Sequence, residues 1–471
     1  MNDYRIPAQP AAQSRSAASA SDGRPQVVNL FNRSIHQNRI PAWETNYPAP
    51  CVILYDESRQ SFVVLDKETL AYGTLLIGGI GSGKTTVLRE ILRQLLARLV
   101  RGESMLIFDT KGDYASLFYQ PDNPMHVLIG SPDTYPTATL WNLFAEIGPL
   151  ETLGSEATRR AEGVKIRSLA QQLFVGRENE QQPFFTQTAA DLFAKGVTHL
   201  IRQSRRTGNR NLLCNSALRQ FFRSTDAQGW KTVLTQDNPD FSSSAVYFGG
   251  TRGDMGASIL ATLNSMVEDL FSGFFGDGGP QDTFSIRDAV ENGRIVFIEY
   301  DLSIAEVLCP VYRLLFDRAI KTRTARTCRS SGNLYLICDE LKLLPRLHLD
   351  DAVNLCRDLG DKKGVRVFAA CQNIHQIIEQ FGESGAKSLL GGFGTCIAFS
   401  NPDSHTRNYL SERYGKLYQS IVYEPLRTPV PVCREGHVLE DFDILDLRKG
   451  QAAVKLPFHD PFIFQFADYP S

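Results

Sequence analysis

Two spacings of apolar residues alternate along the first third of this chain. Residues 50–66 carry two short apolar bursts, Cys51–Tyr55 and Phe62–Leu65, which predict a strand pair. Thr74-Leu75-Leu76-Ile77 is continuous and predicts a buried strand. Val87, Leu88, Ile91, Leu92, Leu95, Leu96 and Leu99 then recur at helical spacing, the stripe of an amphipathic helix. Ser104–Phe108 is a further strand, running into Asp109-Thr110-Lys111-Gly112-Asp113, and another follows near Met125–Ile129. Strand, helix and strand in alternation predict an α/β fold with a mainly parallel sheet.

From about 150 to 285 strand spacing gives way to helical periodicity. Val164–Phe174, Phe184–Gln203, Leu212–Phe222 and Ser258–Phe271 carry it, with polar loops between them, and predict an all-α insertion. The sheet pattern then resumes. Strands are expected at Arg294–Glu299, at Asn333–Cys338 running into Asp339-Glu340, at Val365–Cys371 capped by Gln372, and at Thr395–Ser400. Helices are expected near 305–326, 350–359 and 402–414, and Gln451–Leu456 is placed to close the sheet. The expected division is a disordered leader at 1–25, rich in Ala, Ser, Gln and Pro; the first part of a nucleotide-binding domain at 26–150; the all-α insertion at 151–285; and the second part with its tail at 286–471.

Composition narrows the picture. The chain has 471 residues, 42% hydrophobic and 22% charged, enough for a large core and roughly two or three domains. No apolar run approaches the ~20 residues of a membrane helix, and no signal peptide opens the chain. The expected location is cytoplasmic, with a membrane reached only through partners. Nine cysteines form no C-x-x-C pair and read as reduced core thiols. The eight histidines show no metal-ligand spacing. A net charge of −2 excludes a uniformly basic nucleic-acid clamp, so any such contact must be local. Basic clusters stand at Arg159-Arg160 with Lys165 and Arg167, at Arg202, Arg205, Arg206 and Arg210, and at Lys321, Arg323, Arg326 and Arg329. Each reads first as a solvated helix face.

The chemistry is concentrated at Gly78–Thr86, G-G-I-G-S-G-K-T-T, between a strand and a helix. That is the setting of a Walker A loop. Gly78, Gly81 and Gly83 let backbone amides turn inward around a β-phosphate, with Ser82 and Thr86 completing the loop, and the helix N-terminus favours the anion. Lys84 would reach the β- and γ-phosphates, and the Thr85 hydroxyl would ligate Mg²⁺. Four hydrophobics running into Asp339-Glu340 form a Walker B pattern. Asp339 would hold Mg²⁺ through water, and Glu340 would polarise the attacking water. Gln372, ending the next strand, is placed to sense the γ-phosphate. Lys111 and Asp113 either line the site or are turn residues around Gly112. A metabolic kinase or small GTPase fits poorly: Glu340 argues against it, and no N-K-x-D stands on a suitable loop.

These segments, taken in order, resemble the type IV coupling proteins, a branch of the FtsK/HerA superfamily. The resemblance runs over roughly residues 70–415. It rests on I-G-G-I-G-S-G-K-T, L-I-F-D-T-K-G-D, W-N-L-F at Trp141–Phe144, the aromatic-then-Ala-rich helix at Phe184–Leu200, L-Y-L-I-C-D-E-L, D-K-K-G-V-R-V and A-C-Q-N-I-H-Q-I. It implies a RecA-like P-loop ATPase with an inserted all-α domain that receives nucleoprotein cargo. It also implies ATP and Mg²⁺ as cofactors, a homo-hexameric ring, single-stranded DNA or a relaxase–DNA complex as cargo, and secretion-channel components as partners. Two features depart from the family. Its usual N-terminal membrane helices have no counterpart in the sequence. Its finger arginine, in a G-R-K-x-G turn, is replaced by Asp361 in Gly360-Asp361-Lys362-Lys363-Gly364. An arginine finger is worth about 10³–10⁵ in rate, so a substitute is expected: Arg357, one helical turn earlier, ahead of Lys362 or Arg366. A nucleotide-gated cargo receptor or adaptor with little turnover, favoured by Asp361, and a soluble DNA-processing ATPase are the rival readings.

Overall fold

The computed structural model describes residues 4–5, 26–44, 46–47, 51–99, 102–148, 150, 155–174, 183–248, 253–301, 303–325, 332–343, 364–422 and 432–469. Its strands, in chain order, are β1 Tyr4–Arg5, β2 Gln26–Phe31, β3 Asn46–Tyr47, β4 Val52–Tyr55, β5 Phe62–Leu65, β6 Thr74–Ile77, β7 Ser104–Asp109, β8 His126–Ile129, β9 Ile295–Glu299, β10 Leu334–Cys338, β11 Val365–Cys371, β12 Thr395–Phe399, β13 Lys416–Val422, β14 Val432–His437, β15 Gln451–Lys455 and β16 Phe462–Gln465. Two compact units emerge, one formed by residues 1–101 with 335–471, the other by 102–334. The boundaries expected at 150 and 285 fall inside the second unit. Nearly all of the expected leader, and the helix expected at 350–359, lie outside the described residues.

The first unit is built on strands in the order β16-β15-β12-β6-β11-β10. β6 lies parallel to both neighbours, with Leu75 opposite Ala369 on one side and Cys396 on the other. β12–β15 and β15–β16 are antiparallel. Every residue of β6 is buried, as expected of a strand covered on both faces. The Lys84–Arg98 helix buries Val87, Leu88, Ile91, Leu92 and Leu95. Leu96 and Leu99, at the far end of the expected stripe, are only half-buried. Gln94 is buried although polar, because its side chain donates to the Ile53 carbonyl (2.7 Å) and accepts from the Ile53 amide (2.9 Å), stitching the helix to β4. The Ile374–Gly392 helix went unread in the sequence. It breaks at Gly382 (φ 72°), and its four glycines interrupt the apolar spacing.

In the second unit β9 lies between β7 and β8, parallel to both. Its helices include Glu156–Phe174, Pro183–Thr207, Asn215–Ser224, Ala227–Thr232 and Gly253–Leu270. No strand interrupts them among the described residues. Their core is aromatic: the Phe193 and Phe222 rings stack at 5.4 Å and 10°, and Trp230 packs on Phe222 at 5.8 Å. The W-N-L-F segment fastens this unit together. Trp141 is buried and its indole N–H donates to Glu146 (3.1 Å). The Asn142 amide donates to the Leu213 and Asp282 carbonyls at 3.0 and 2.9 Å, while its Oδ1 caps the Leu143–Ile147 helix.

Candidate active site

Residues 78–83 leave the carboxyl end of β6 and turn directly into the Lys84–Arg98 helix. Gly81 and Gly83 take positive φ (73° and 115°), a region that L side chains rarely occupy. Gly78 is required for a different reason: a Cβ there would stand 2.6 Å from Cβ of Phe399. The need for glycine at 81 is conformational alone, because a Cβ would meet nothing there. Three chain segments hold the loop. The Gly78 amide donates to the Cys371 carbonyl at 3.3 Å, and the Gly79 amide to that of Ser400 at 2.8 Å. The Gly450 amide donates to the Ser82 carbonyl at 2.9 Å. Ile80, at the tip, is 90% exposed.

The Lys84 ammonium folds back on its own loop, donating to the Gly78 (2.5 Å) and Gly79 (2.8 Å) carbonyls. Ser82 is buried and its hydroxyl donates to Gly79 (2.8 Å), while Thr85 and Thr86 are half-buried at the helix start. β10 ends at Cys338, placing Asp339 and Glu340 at the carboxyl end of the sheet, both buried at 5% exposure. β11 ends beside it, and the Gln372 amide donates to Glu340 Oε2 at 2.8 Å. Glu340 Oε1 is buried with no hydrogen-bond partner among the described residues. Burial raises the Glu340 pKa, Lys342 and the Gln372 bond oppose that rise, and the Lys84 charge lies close enough to oppose it too. The Gln372 carbonyl accepts from Asn401 (2.7 Å), whose Oδ1 accepts from the Asp403 amide. The glutamine thus joins the acid to the turn after β12.

An anion fits this cradle: glycines where a Cβ would collide or strain, amides at a helix start, and an ammonium. A divalent cation fits as well. The Asp339 carboxylate at the end of β10 and the Thr85 hydroxyl at the helix start are oxygen donors of the kind Mg²⁺ takes, one or two such ligands being joined by phosphate oxygens. Among the described residues no cluster of three or more His, Cys, Asp or Glu could form an all-protein metal site.

The remaining sequence candidates have different outcomes. Arg357, Asp361 and Lys362 lie outside the described residues. Arg366 is 1% exposed within β11, so it cannot extend to a neighbouring chain, and it leaves the set of possible fingers. The D-T-K-G-D segment belongs to the second unit and forms a turn. Asp109 accepts from the Ala115 amide (2.7 Å), Gly112 is left-handed (φ 73°), and Asp113 starts a helix. Cys338, Cys371 and Cys396 are fully buried, and burial pushes their thiols up, so they are inert core groups. The turn around Gly450, which grips the loop from behind, escaped sequence reasoning; the only signal was the strand-like run that follows it.

Two of the basic clusters, about 40 residues apart in sequence, converge in the helical block. They line one groove of about 980 Å³ between the Glu156–Phe174 and Pro183–Thr207 helices. Several of its cations are neutralised. Arg202 makes a bidentate pair with Asp240 and lies over the Phe241 ring, and Arg205 pairs with Glu162. Arg159, Arg167 and Arg206 have no side-chain partner among the described residues.

A glycine loop and lysine at the end of a parallel strand, faced by carboxylates on a non-adjacent strand, define a P-loop NTPase of RecA-like α/β fold. The chain belongs to the type IV secretion-system coupling proteins: the model of that family's DNA-binding domain matches residues 61–419. No curated protein sequence gives a significant match. Among solved structures, the bacterial conjugative coupling protein TrwBdeltaN70, unbound, superposes with a TM-score of 0.63 at 20% identity, over 89% of this chain and 91% of that one. TrwB in complex with ADP and Mg²⁺ gives 0.59 at 20% identity, over 86% and 89%. VirB4 of Thermoanaerobacter pseudethanolicus gives 0.51 at 12% identity, over 88% and 96%. Among the described residues no helix is long and apolar enough to cross a membrane.

Proposed function

We propose that this chain is the ATP-hydrolysing motor of a coupling protein, which recruits DNA or a nucleoprotein and moves it to a type IV secretion or conjugation channel. The reading rests above all on the Glu340–Gln372 pair beside the lysine loop: a buried carboxylate with one bonded and one open oxygen is arranged to take a proton from water. Amides of Gly78–Thr86 hold the phosphates. Lys84 leaves the Gly78 and Gly79 carbonyls for the β- and γ-phosphate oxygens. Thr85 and Asp339 hold Mg²⁺, which supplies charge neutralisation at the phosphoryl group. Glu340 orients and deprotonates the attacking water, and Gln372 carries the state of the site to Asn401. TrwB, of the same fold, has been crystallised with ADP and Mg²⁺ and with GTP and ATP analogues, which supports nucleotide as the ligand here. A homo-hexamer, with Arg357 of one subunit serving the site of the next, completes the reading.

The helical block supplies a cargo face. Three arginines without a side-chain partner among the described residues line one groove and suit a phosphate backbone, and such contacts weaken with salt. The test is Mg²⁺-dependent phosphate release by the purified chain, with and without single-stranded DNA. Stimulation by DNA, lost in Lys84→Ala, supports the motor. A flat, near-zero rate in both refutes it and favours the nucleotide-gated receptor suggested by Asp361.

A further inference from the structure

Gln372 stands one residue past the end of β11, whose pairing with β6 stops at Cys371 opposite Ile77. The sheet therefore does not fix the glutamine, and its backbone must be held from elsewhere. The turn after β12 holds it. Residues 400–407 run from the end of β12 into the Ser404–Tyr414 helix and bond to three parts of the site. The Ser400 carbonyl accepts from the Gly79 amide of the phosphate loop (2.8 Å). The Asn401 side-chain amide donates to the Gln372 carbonyl (2.7 Å). The Thr406 hydroxyl accepts from the Ile374 amide (3.0 Å). The segment that carries the glutamine is thus pinned at 372 and at 374, and all of these residues belong to the first unit.

The turn is braced in its own right. Asn401 and Thr406 are fully buried. Asn401 Oδ1 accepts from the Asp403 amide (2.9 Å), and the Asp403 carboxylate accepts from the Thr406 amide (2.9 Å) and hydroxyl (2.6 Å). Arg407 closes the turn from outside. Its Nη1 donates to the Asn401 (3.2 Å) and Pro402 (2.6 Å) carbonyls, and its Nε donates to Asp441 (2.7 Å) on the Asp441–Leu445 helix. A planar guanidinium can meet two carbonyls and a carboxylate at once, which an ammonium cannot. A chain of bonds therefore runs from Asp441 through Arg407 and Asn401 to the backbone of Gln372, and from its side chain to Glu340 Oε2.

We propose that Asn401 and Arg407 are positioning residues for hydrolysis: Asn401 fixes the backbone of Gln372, Arg407 fixes Asn401, and together they hold the Gln372 amide at bonding distance from Glu340. The inference deepens the hydrolytic reading above and rests on it. Both residues act through Gln372. A misplacement of 1 Å at a reacting centre costs about 10²-fold in rate, so a loosened turn shows in turnover. It does not show in nucleotide binding, because the bond from this turn to the phosphate loop is main chain to main chain, between Ser400 and Gly79.

Steady-state phosphate release by the full chain, with calorimetry of a non-hydrolysable ATP analogue and Mg²⁺, tests this in a double-mutant cycle. Asn401→Ala, Arg407→Ala and Gln372→Ala are each expected to lower kcat by about 10- to 100-fold, with KM and analogue affinity unchanged; that binding also shows each variant is folded. Arg407→Lys, which keeps a charge opposite Asp441 without the fork, is expected to fall between Arg407→Ala and the wild type. In the Gln372→Ala background the carbonyl held by Asn401 remains and the amide is gone. There, neither Asn401→Ala nor Arg407→Ala is expected to lower kcat by more than about twofold further. If Asn401→Ala fails to fold, the Arg407 variants decide. Turnover within about twofold of the wild type in Arg407→Ala, effects that multiply in full with Gln372→Ala, or analogue affinity that falls as far as kcat overturns the inference and leaves the hydrolytic site standing. No phosphate release by the wild type overturns the hydrolytic reading and this inference with it.

Discussion

Replacing Glu340 by Gln separates the chemistry of the site from its architecture. The Gln372 amide donates to Glu340 Oε2 at 2.8 Å, and the carboxamide oxygen of a glutamine at 340 accepts that bond unchanged. Shape and volume are conserved. What disappears is the proton acceptor at the open oxygen, Oε1. General-base catalysis contributes about 10²–10⁴-fold, or about 3–5 kcal/mol of barrier. Phosphate release at saturating ATP is expected to fall by that factor, with ATP-analogue affinity retained.

The same variant carries a second, independent sign. Burial raises the Glu340 pKa above the ordinary carboxyl value. Its charged form is therefore disfavoured in the folded state, and above that raised pKa the ionised group costs stability relative to the unfolded chain. Glu340→Gln removes this cost, so its melting temperature at pH 7 should equal or exceed that of the wild type. The difference should vanish as the pH falls below the ordinary carboxyl range, where Glu340 is neutral in both states. The acid limb of wild-type activity should likewise lie above that range. Steady-state phosphate release and thermal melts across pH measure both. Turnover within tenfold of the wild type, or a melting temperature lowered at pH 7, would refute the assignment of Glu340 as a buried general base.

Other expectations follow from single contacts. Gly83→Ala forces a Cβ onto a backbone at φ 115° and to within 3.2 Å of Gly450; denaturant unfolding should show a loss of about 1–3 kcal/mol. Gly163→Ala is the control in a helix: nothing lies within 4 Å of the new methyl, and a gain of about 0.5–1 kcal/mol is expected in the same assay. Asn142→Ala removes the donor to two carbonyls and a helix cap, and should cost about 2–4 kcal/mol in chemical denaturation. Reversing Arg159, Arg167 and Arg206 to Glu should flatten the salt dependence of single-stranded DNA binding by about 2 in log–log slope, read by fluorescence anisotropy.

The local chemistry was legible in the sequence because each piece is contiguous. A four-residue apolar run, a glycine turn and a helical stripe specify β6, the loop and the Lys84 helix without help from the rest of the chain. Asp339 and Glu340 are named by the strand that ends at them. The basic clusters were legible as clusters and not as one groove, since their meeting depends on how the Glu156–Phe174 and Pro183–Thr207 helices pack. Their balance was hidden too: Glu162 and Asp240 neutralise Arg205 and Arg202, while Arg159, Arg167 and Arg206 have no side-chain partner among the described residues. Arg366 reads as one more basic residue in a turn-to-strand stretch, and only the sheet shows that it is buried.

The deeper gap concerns what surrounds the loop. The residues gripping it are Cys371, Ser400 and Gly450, roughly 290 to 370 positions downstream, and all three act through backbone groups. A backbone carbonyl leaves no mark in sequence because every residue type has one, and a backbone N–H leaves almost none because every residue type but proline has one. This explains why the carboxylates and the glutamine at the ends of β10 and β11 announce themselves, whereas the backbone grip on the loop does not. The asymmetry is chemical. Proton transfer needs side chains whose charge differs between states, while holding a loop needs only backbone donors and acceptors at fixed distances. A reading built on side-chain motifs therefore finds the residues suited to chemistry and misses the backbone that holds the loop in place.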